Sequence, residues 1–480
     1  MTKFLKLALI ISILISCKQQ PVKAQVVEKT PIITKKDKLT NYLNKLESSG
    51  FSGSVLVAQK GKVLLEKGYG YSDRKNKVRY TKKTVSTIGS ITKQFTGAAI
   101  LKLEMQGKLS VKDKLSAYFE NVPDDKKDIT LHHLLTHSAG VPPAIGDDYE
   151  RITTDEFMQK VLNRKLLFKP GSKYEYSNVG YSMLGIIIEK LSGKSYEAYL
   201  LENLWKPAGM NQTGYQMPSF EDIAIGYRKS RKWGRTTERA WANDGPYWHL
   251  RANGGVLSTV QDMYKWHEAL LGNKILNENA KTKFYGKHIE EGEGSGSYYG
   301  YGWAIFPTPR NTELIAHNGG NGVFFADMWR YLEEDITIII MTNSVKRSYE
   351  RITSHIAGIL LKPDFTPEVS MESPNRITGE MADQLVADFM NTINTDNQNN
   401  WKIFLERRTL SSFFNSFPLE KHLEVFTQFH EKLKGGEVME VRLSEGEITL
   451  IVETKEGPQQ LLFNVILNSD GVVKIDGVEM

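Results

Sequence analysis

Ser90 and Lys93 stand one helical turn apart in "GSITKQFTGAAILKL", with Gly89 just ahead of them. Residues at i and i+3 share one face of a helix. A serine hydroxyl becomes a useful nucleophile when a base within hydrogen-bond reach takes its proton. A lysine can be that base if burial and the positive end of the helix dipole lower its pKa. The first turn of a helix, where a cation is disfavoured, therefore suits Lys93 for acyl transfer. The same helix start offers backbone N–H groups to a developing oxyanion. The pair alone says little, because a second copy, Ser72-Asp73-Arg74-Lys75, lies in a polar turn with nothing to bury its lysine.

Two later clusters accompany Ser90. Tyr176-Ser177-Asn178 precedes the apolar helix "VGYSMLGIIIEKL", and His317-Asn318-Gly319-Gly320 ends one strand just before the next begins. With these three in order, the chain resembles the serine β-lactamase and penicillin-binding-protein superfamily, in its class C β-lactamase, DD-peptidase and esterase branch. "LHHLLTHSAGVP", "ANGGVLSTVQDMYKW" and "YGYGWAIF" extend the resemblance, which runs from about Leu46 to Leu361. It implies Ser90 as acylated nucleophile and Lys93 as its base. Tyr176 is implied as second base or proton relay, either as phenolate or as a neutral shuttle. Asn178 would hold the substrate amide or order Lys93. His317, Gly319 and Gly320 would line the substrate strand, with the Gly320 amide as second oxyanion donor beside that of Ser90. The implied partner is a small-molecule, peptide or ester substrate, with no metal or organic cofactor. The family's β-lactamases place a lysine where His317 stands. A histidine is mostly neutral above its pKa of about 6.5, which favours an esterase or D-peptidase over a true β-lactamase.

Plainer roles compete for several of these residues. Tyr176 and Asn178 could cap the following helix, and His317 could be a strand-end histidine satisfied by backbone. His133 and His137 have a spacing that can grip zinc on a helix, but no glutamate or third ligand accompanies them. His137 more naturally braces the "THSAG" turn. Trp248 and Tyr247 in "AWANDGPYWHL" are either core or acyl-pocket lining. Other classes of function are a penicillin-recognising sensor that acylates without turnover, and a pseudo-enzyme acting through its C-terminal part.

The elements needed to position the motifs are legible. "SVLVAQKGKVLLEKGYG" reads as a hairpin about Lys60-Gly61-Lys62, followed by the Ser90 helix ending near Gly107. Residues 129–204 read as mostly helical, broken at Pro142-Pro143 and Pro170-Gly171. "SYYGYGWAIF", "TELIAHNGG", "GVFFADMWRYL" and "DITIIIMTN" read as strands and "RSYERITSHIAGILL" as a closing helix. The expected fold is α+β: an antiparallel sheet flanked by helices plus a mostly helical subdomain over residues 39–362. A linker at 363–375 leads to a small α+β, cystatin/NTF2-like accessory domain at 376–480, a fold-level analogy that names no protein partner.

The chain has 480 residues, a net charge of +6 and one cysteine. No basic run marks a nucleic-acid face. "MTKFLKLALIISILISC" carries Lys3 and Lys6, a short apolar run and then Cys17, the layout of a secretory signal. It resembles a bacterial lipoprotein signal (residues 1–17) whose Cys17 is lipidated, with residues 18–38 as a flexible tether. The expected address is the bacterial cell envelope, on the membrane through a lipid anchor.

Overall fold

The computed structural model describes residues 34–228, 231–242, 245–367, 377–414, 418–444, 446–468 and 470–479. Cys17, the signal and most of the tether lie outside the described residues, as does most of the linker.

The centre of the fold is an eight-stranded antiparallel sheet built from both ends of residues 35–361. Its strands run in the spatial order 289–290, 298–299, 304–307, 313–320, 325–331, 336–342, 53–59 and 62–69. The hairpin at Lys60-Gly61 forms as expected, and its first strand pairs with the last one, Val55 opposite Ile340. The expected continuous strand "SYYGYGWAIF" is instead two short ones, Tyr298–Tyr299 and Ala304–Pro307. The break falls at Gly302, whose φ is +86° and whose missing Cβ would lie 2.6 Å from the Lys93 carbonyl oxygen. The chain turns there because the Ser90 helix passes directly against it.

Both faces of the sheet are covered, which explains why "ITIIIMT" is apolar throughout rather than alternating. Ile336, Ile338 and Ile340 join a core with Leu39, Tyr42, Leu43, Ile352 and Ile356 of the terminal helices. Ile339 and Met341 point the other way, into the larger core with Ile88, Phe95 and the helical middle. The helical middle consists mainly of Leu131–Leu135, Thr154–Asn163 and Asn178–Ser192.

The expected tether boundary needs correction, because a helix spans Lys35–Ser48. The buried spacing Leu39, Tyr42, Leu43 and Leu46 requires an earlier turn, and Lys38 Nζ donates to the Pro363 carbonyl at 2.6 Å. The expected linker also starts late, since Phe365 still packs on the terminal-helix core.

Residues 377–479 carry their own core, in which helices Gly379–Ile393, Gln398–Arg408 and Leu419–Leu433 cover a four-stranded antiparallel meander. Arg351, in the turn before the closing helix of the first part, pairs with Asp476 of the meander. Among the described residues no helix is long and apolar enough to cross a membrane.

Candidate active site

Ser90 sits in a tight 3-10 turn, Gly89–Ile91, that runs into the helix Thr92–Met105. Two backbones meet there with no room for side chains. Gly89 has φ +51° and its missing Cβ would lie 2.5 Å from the Gly320 nitrogen; that of Gly319 would lie 2.5 Å from the Ser90 nitrogen. Glycine is needed at Gly89 for the positive φ and at both places for the close approach. The Ser90 and Gly320 amides are thereby brought to one spot.

Lys93 is fully buried. Its Nζ lies 3.1 Å from Ser90 Oγ and donates to Asn178 Oδ1 and to the Asn253 carbonyl, each at 2.8 Å. Burial pushes its pKa well below the usual 10.5, and the charge of Asp148 pulls weakly the other way. A neutral amine has two N–H donors and one lone pair. Two of the three neighbours are carbonyl oxygens that can only accept, and the third is a hydroxyl that can donate. The surroundings therefore accommodate the neutral amine that burial favours, with two protons on the carbonyl oxygens and the lone pair toward Ser90.

Tyr176 packs its ring 4.7 Å from Lys93 Nζ. Burial raises its pKa, and nearby Ser90 eases it only partly. Its buried hydroxyl makes no hydrogen bond among the described residues. Of the two roles left open by the sequence, this environment suits the neutral phenol.

The helix after Tyr176 is capped by neither Tyr176 nor Asn178. Ser177 Oγ accepts from the Gly180 N–H at 3.3 Å and so performs the capping, leaving Asn178 to hold Lys93. The Asn178 N–H donates to the Pro143 carbonyl and Ser177 Oγ–H to that of Pro142. The "GVPP" turn thus fixes the Tyr176 cluster.

His317 is buried and is not among the residues lining the pocket over Ser90. Its Nδ1 is 2.6 Å from the Asn318 carbonyl and its Nε2 is 2.9 Å from the Tyr299 hydroxyl. Burial, helped by the Lys93 charge, lowers its pKa to about 3. It is a neutral bracket behind Tyr176, with ring centroids 6.3 Å apart, and presents no cation to a substrate.

His133 and His137 do not share a helical face, because the helix ends at Leu135. His133 bonds with the Thr130 backbone. His137 has φ +57° and its Nδ1 accepts from the Ser177 N–H at 3.0 Å. Its ring also backs Tyr176 at 4.2 Å, so it braces the turn as the sequence suggested. Among the described residues no cluster of three or more metal-ligating side chains occurs. Trp248 is core, its indole N–H donating to Thr154 Oγ1, and Tyr247 packs against the same core. The other Ser-x-x-Lys copy is inert: Ser72 is buried in a hairpin and Lys75 is exposed.

The pocket over Ser90 is narrow, about 40 Å³. Besides Ser90, Asn178 and Gly320, its walls include Asp148, Tyr149, Leu250 and Asn253. Sequence reasoning missed Asn253, which serves through its backbone carbonyl, and Asp148, in a loop without a recognisable spacing.

This arrangement of serine, buried lysine, tyrosine and glycine-rich strand on a helix-flanked antiparallel sheet agrees with the comparisons to known proteins. The family model described as Beta-lactamase matches residues 43–360. The chain belongs to the β-lactamase family. This family member is 31% identical over 282 residues to a putative penicillin-binding protein, PbpX, of Bacillus subtilis, covering 58% of this chain and 68% of that one. In structure it is similar to an octameric penicillin-binding protein homologue from Pyrococcus abyssi, with TM-score 0.61 at 23% identity over 89% of this chain and 90% of the other. It is also similar to the D-amino acid amidase of Ochrobactrum anthropi, with TM-score 0.56 at 23% identity, covering 68% and 96%. At such identities the structural likenesses establish the fold alone. The first of them extends over the C-terminal part as well.

Proposed function

We propose that this chain is a serine hydrolase that cleaves an ester or amide through an acyl-enzyme on Ser90. The observation that carries the reading is the setting of Lys93 Nζ, buried among two obligate acceptors and the Ser90 hydroxyl. Ser90 gives its proton to Lys93 as Oγ attacks the substrate carbonyl. The oxygen that becomes negative faces the backbone amides of Ser90 and Gly320. Tyr176, as a neutral phenol, passes its proton to the leaving group and takes one back from Lys93. Water then gives a proton to Lys93, attacks the acyl carbon, and Ser90 leaves reprotonated.

An ester or a D-amino-acid amide suits the site better than a β-lactam, because the neutral His317 offers no fixed positive charge for a carboxylate. The observation that supports this choice is the setting of His317 between the Asn318 carbonyl and the Tyr299 hydroxyl. We further propose that Cys17 carries a lipid that holds the enzyme at the cell envelope, on the strength of the signal-like residues before it.

The test is covalent labelling by a fluorophosphonate probe, run beside turnover of short acyl esters, D-amino-acid amides and nitrocefin. Ser90→Ala should abolish labelling and all turnover. Labelling that persists in Ser90→Ala would overturn the assignment, and a single stoichiometric burst without turnover would mark a sensor instead.

A further inference from the structure

The pocket over Ser90 carries one charged side chain that the acyl-transfer reading does not use. Among its described lining residues, Asp148 is the only one charged at neutral pH; the rest are glycines, hydroxyls, amides, a leucine and Tyr149. Asp148 is half-buried and makes no hydrogen bond or ion pair among the described residues. The charges that act on it are those of Lys93 and Asp147, and burial raises its pKa. A carboxylate whose ionised form is disfavoured by burial is normally matched by a cation or by donors. Among the described residues no side chain makes a hydrogen bond or ion pair with it, and Lys93 acts on it only through its charge.

The nearby cations are engaged elsewhere. Arg239 stacks on Trp233 at 3.9 Å, donates to its carbonyl at 2.6 Å, and acts on Tyr149 rather than on Asp148. Arg235 pairs with Glu238. Lys93 is turned to Ser90, Asn178 and Asn253. Among its described lining residues the pocket therefore offers one anionic side chain and no cationic one.

We propose that Asp148 receives the free ammonium group of the substrate, so that the acyl donor is an amino-acyl ester or amide with an unblocked amine. The inference rests on the Ser90 acyl-enzyme reading and names its substrate class. It also couples recognition to chemistry. Asp148 is the charge that opposes the burial-driven fall of the Lys93 pKa. The other titratable groups packed about Lys93 are Tyr176, Tyr181, His137 and His317, each driven toward its neutral form by burial. A substrate ammonium against Asp148 cancels that one opposing field, and Lys93 becomes a readier base when the correct substrate is bound.

The experiment compares alanine p-nitroanilide with N-acetyl-alanine p-nitroanilide, each in D and L forms, on the full chain and on Asp148→Asn and Asp148→Glu. For the preferred enantiomer the wild type should favour the free amine in kcat/KM by about tenfold to a hundredfold, the range of a charge-assisted hydrogen bond. That preference should collapse in Asp148→Asn and return in part in Asp148→Glu. In the wild type it should also fade as pH passes the amine pKa of about 8, a change that a merely structural role of Asp148 would not produce. An acetylated substrate hydrolysed as fast as the free amine, or an undiminished preference in Asp148→Asn, overturns the proposal. So does a wild type that cleaves neither anilide while fluorophosphonate labels Ser90. Absence of that labelling in the wild type overturns the acyl-enzyme reading itself.

Discussion

Lys93 Nζ lies 2.8 Å from the backbone carbonyl oxygen of Asn253, and this contact decides what the lysine can do. A carbonyl cannot rotate away or ionise, so one amine proton is permanently engaged. Asn178 Oδ1 engages a second. Only the direction of Ser90 is left for the lone pair.

A charge placed on that shell should therefore retune the base. Asn178→Asp sets a carboxylate where an amide oxygen stands 2.8 Å from Nζ. An adjacent opposite charge favours the ammonium, so the Lys93 pKa should rise by roughly 1–3 units. The acid limb of kcat/KM for an uncharged ester should move to higher pH by the same amount. A pH–rate profile of the variant against wild type checks both sign and size.

Tyr176→Phe keeps the ring over Lys93 and removes the relayed proton. Turnover should fall by about 10²- to 10⁴-fold, the span of a single general acid–base group, while Ser90 still accepts the fluorophosphonate slowly. Because burial raises the Tyr176 pKa, ionisation of this phenol should cause no loss of wild-type activity up to about pH 10. Stopped assays across pH 8–10 test this second point.

The buried lysine should be visible in stability as well. The folded chain holds Lys93 with a pKa well below 10.5, whereas the unfolded chain protonates it readily. Unfolding thus takes up a proton between the two pKa values, and the penalty eases as pH rises through that window. Relative to Lys93→Met, wild-type stability should climb with pH by up to about 1.4 kcal/mol per unit and level off above about 10.4. Urea titrations of both proteins at several pH values measure the difference.

The envelope assignment has its own test. Cells expressing the full chain and fed radiolabelled palmitate should label it, and Cys17→Ser should lose both the label and the membrane-pelleting fraction. Equal pelleting of the two proteins would remove the anchor from the account.

Much of the site could be read from residue types because the chemistry constrains spacing. Ser90 and Lys93 need one helical turn between them, and Tyr176 and Asn178 flank a cap that Ser177 supplies. Backbone contributions were illegible for a physical reason: the Asn253 carbonyl would be the same atom on any residue. Asp148 escaped notice because a pocket wall made by a loop has no periodicity. His317 was visible as a site residue, yet its direction was not. Its strand neighbour Asn318 is exposed while His317 is buried, and the partner that holds it, Tyr299, comes from a separate strand. In the fold, the hairpin and the all-apolar last strand were plain from sequence. The break at Gly302 was not, since it depends on the Ser90 helix lying against it.

The pairing of the first strand with the last, Val55 opposite Ile340, carries a consequence for how the protein comes into being. A ribosome delivers the Ser90 turn early, but the strand bearing Gly319 and Gly320, which must press against it, arrives more than two hundred residues later. Contacts this distant along the chain form late and slowly. The growing polypeptide therefore lacks a complete site for most of its synthesis, and a truncation between Asn178 and Gly319 should leave Ser90, Lys93, Tyr176 and Asn178 in the chain without the strand that must press against the Ser90 turn.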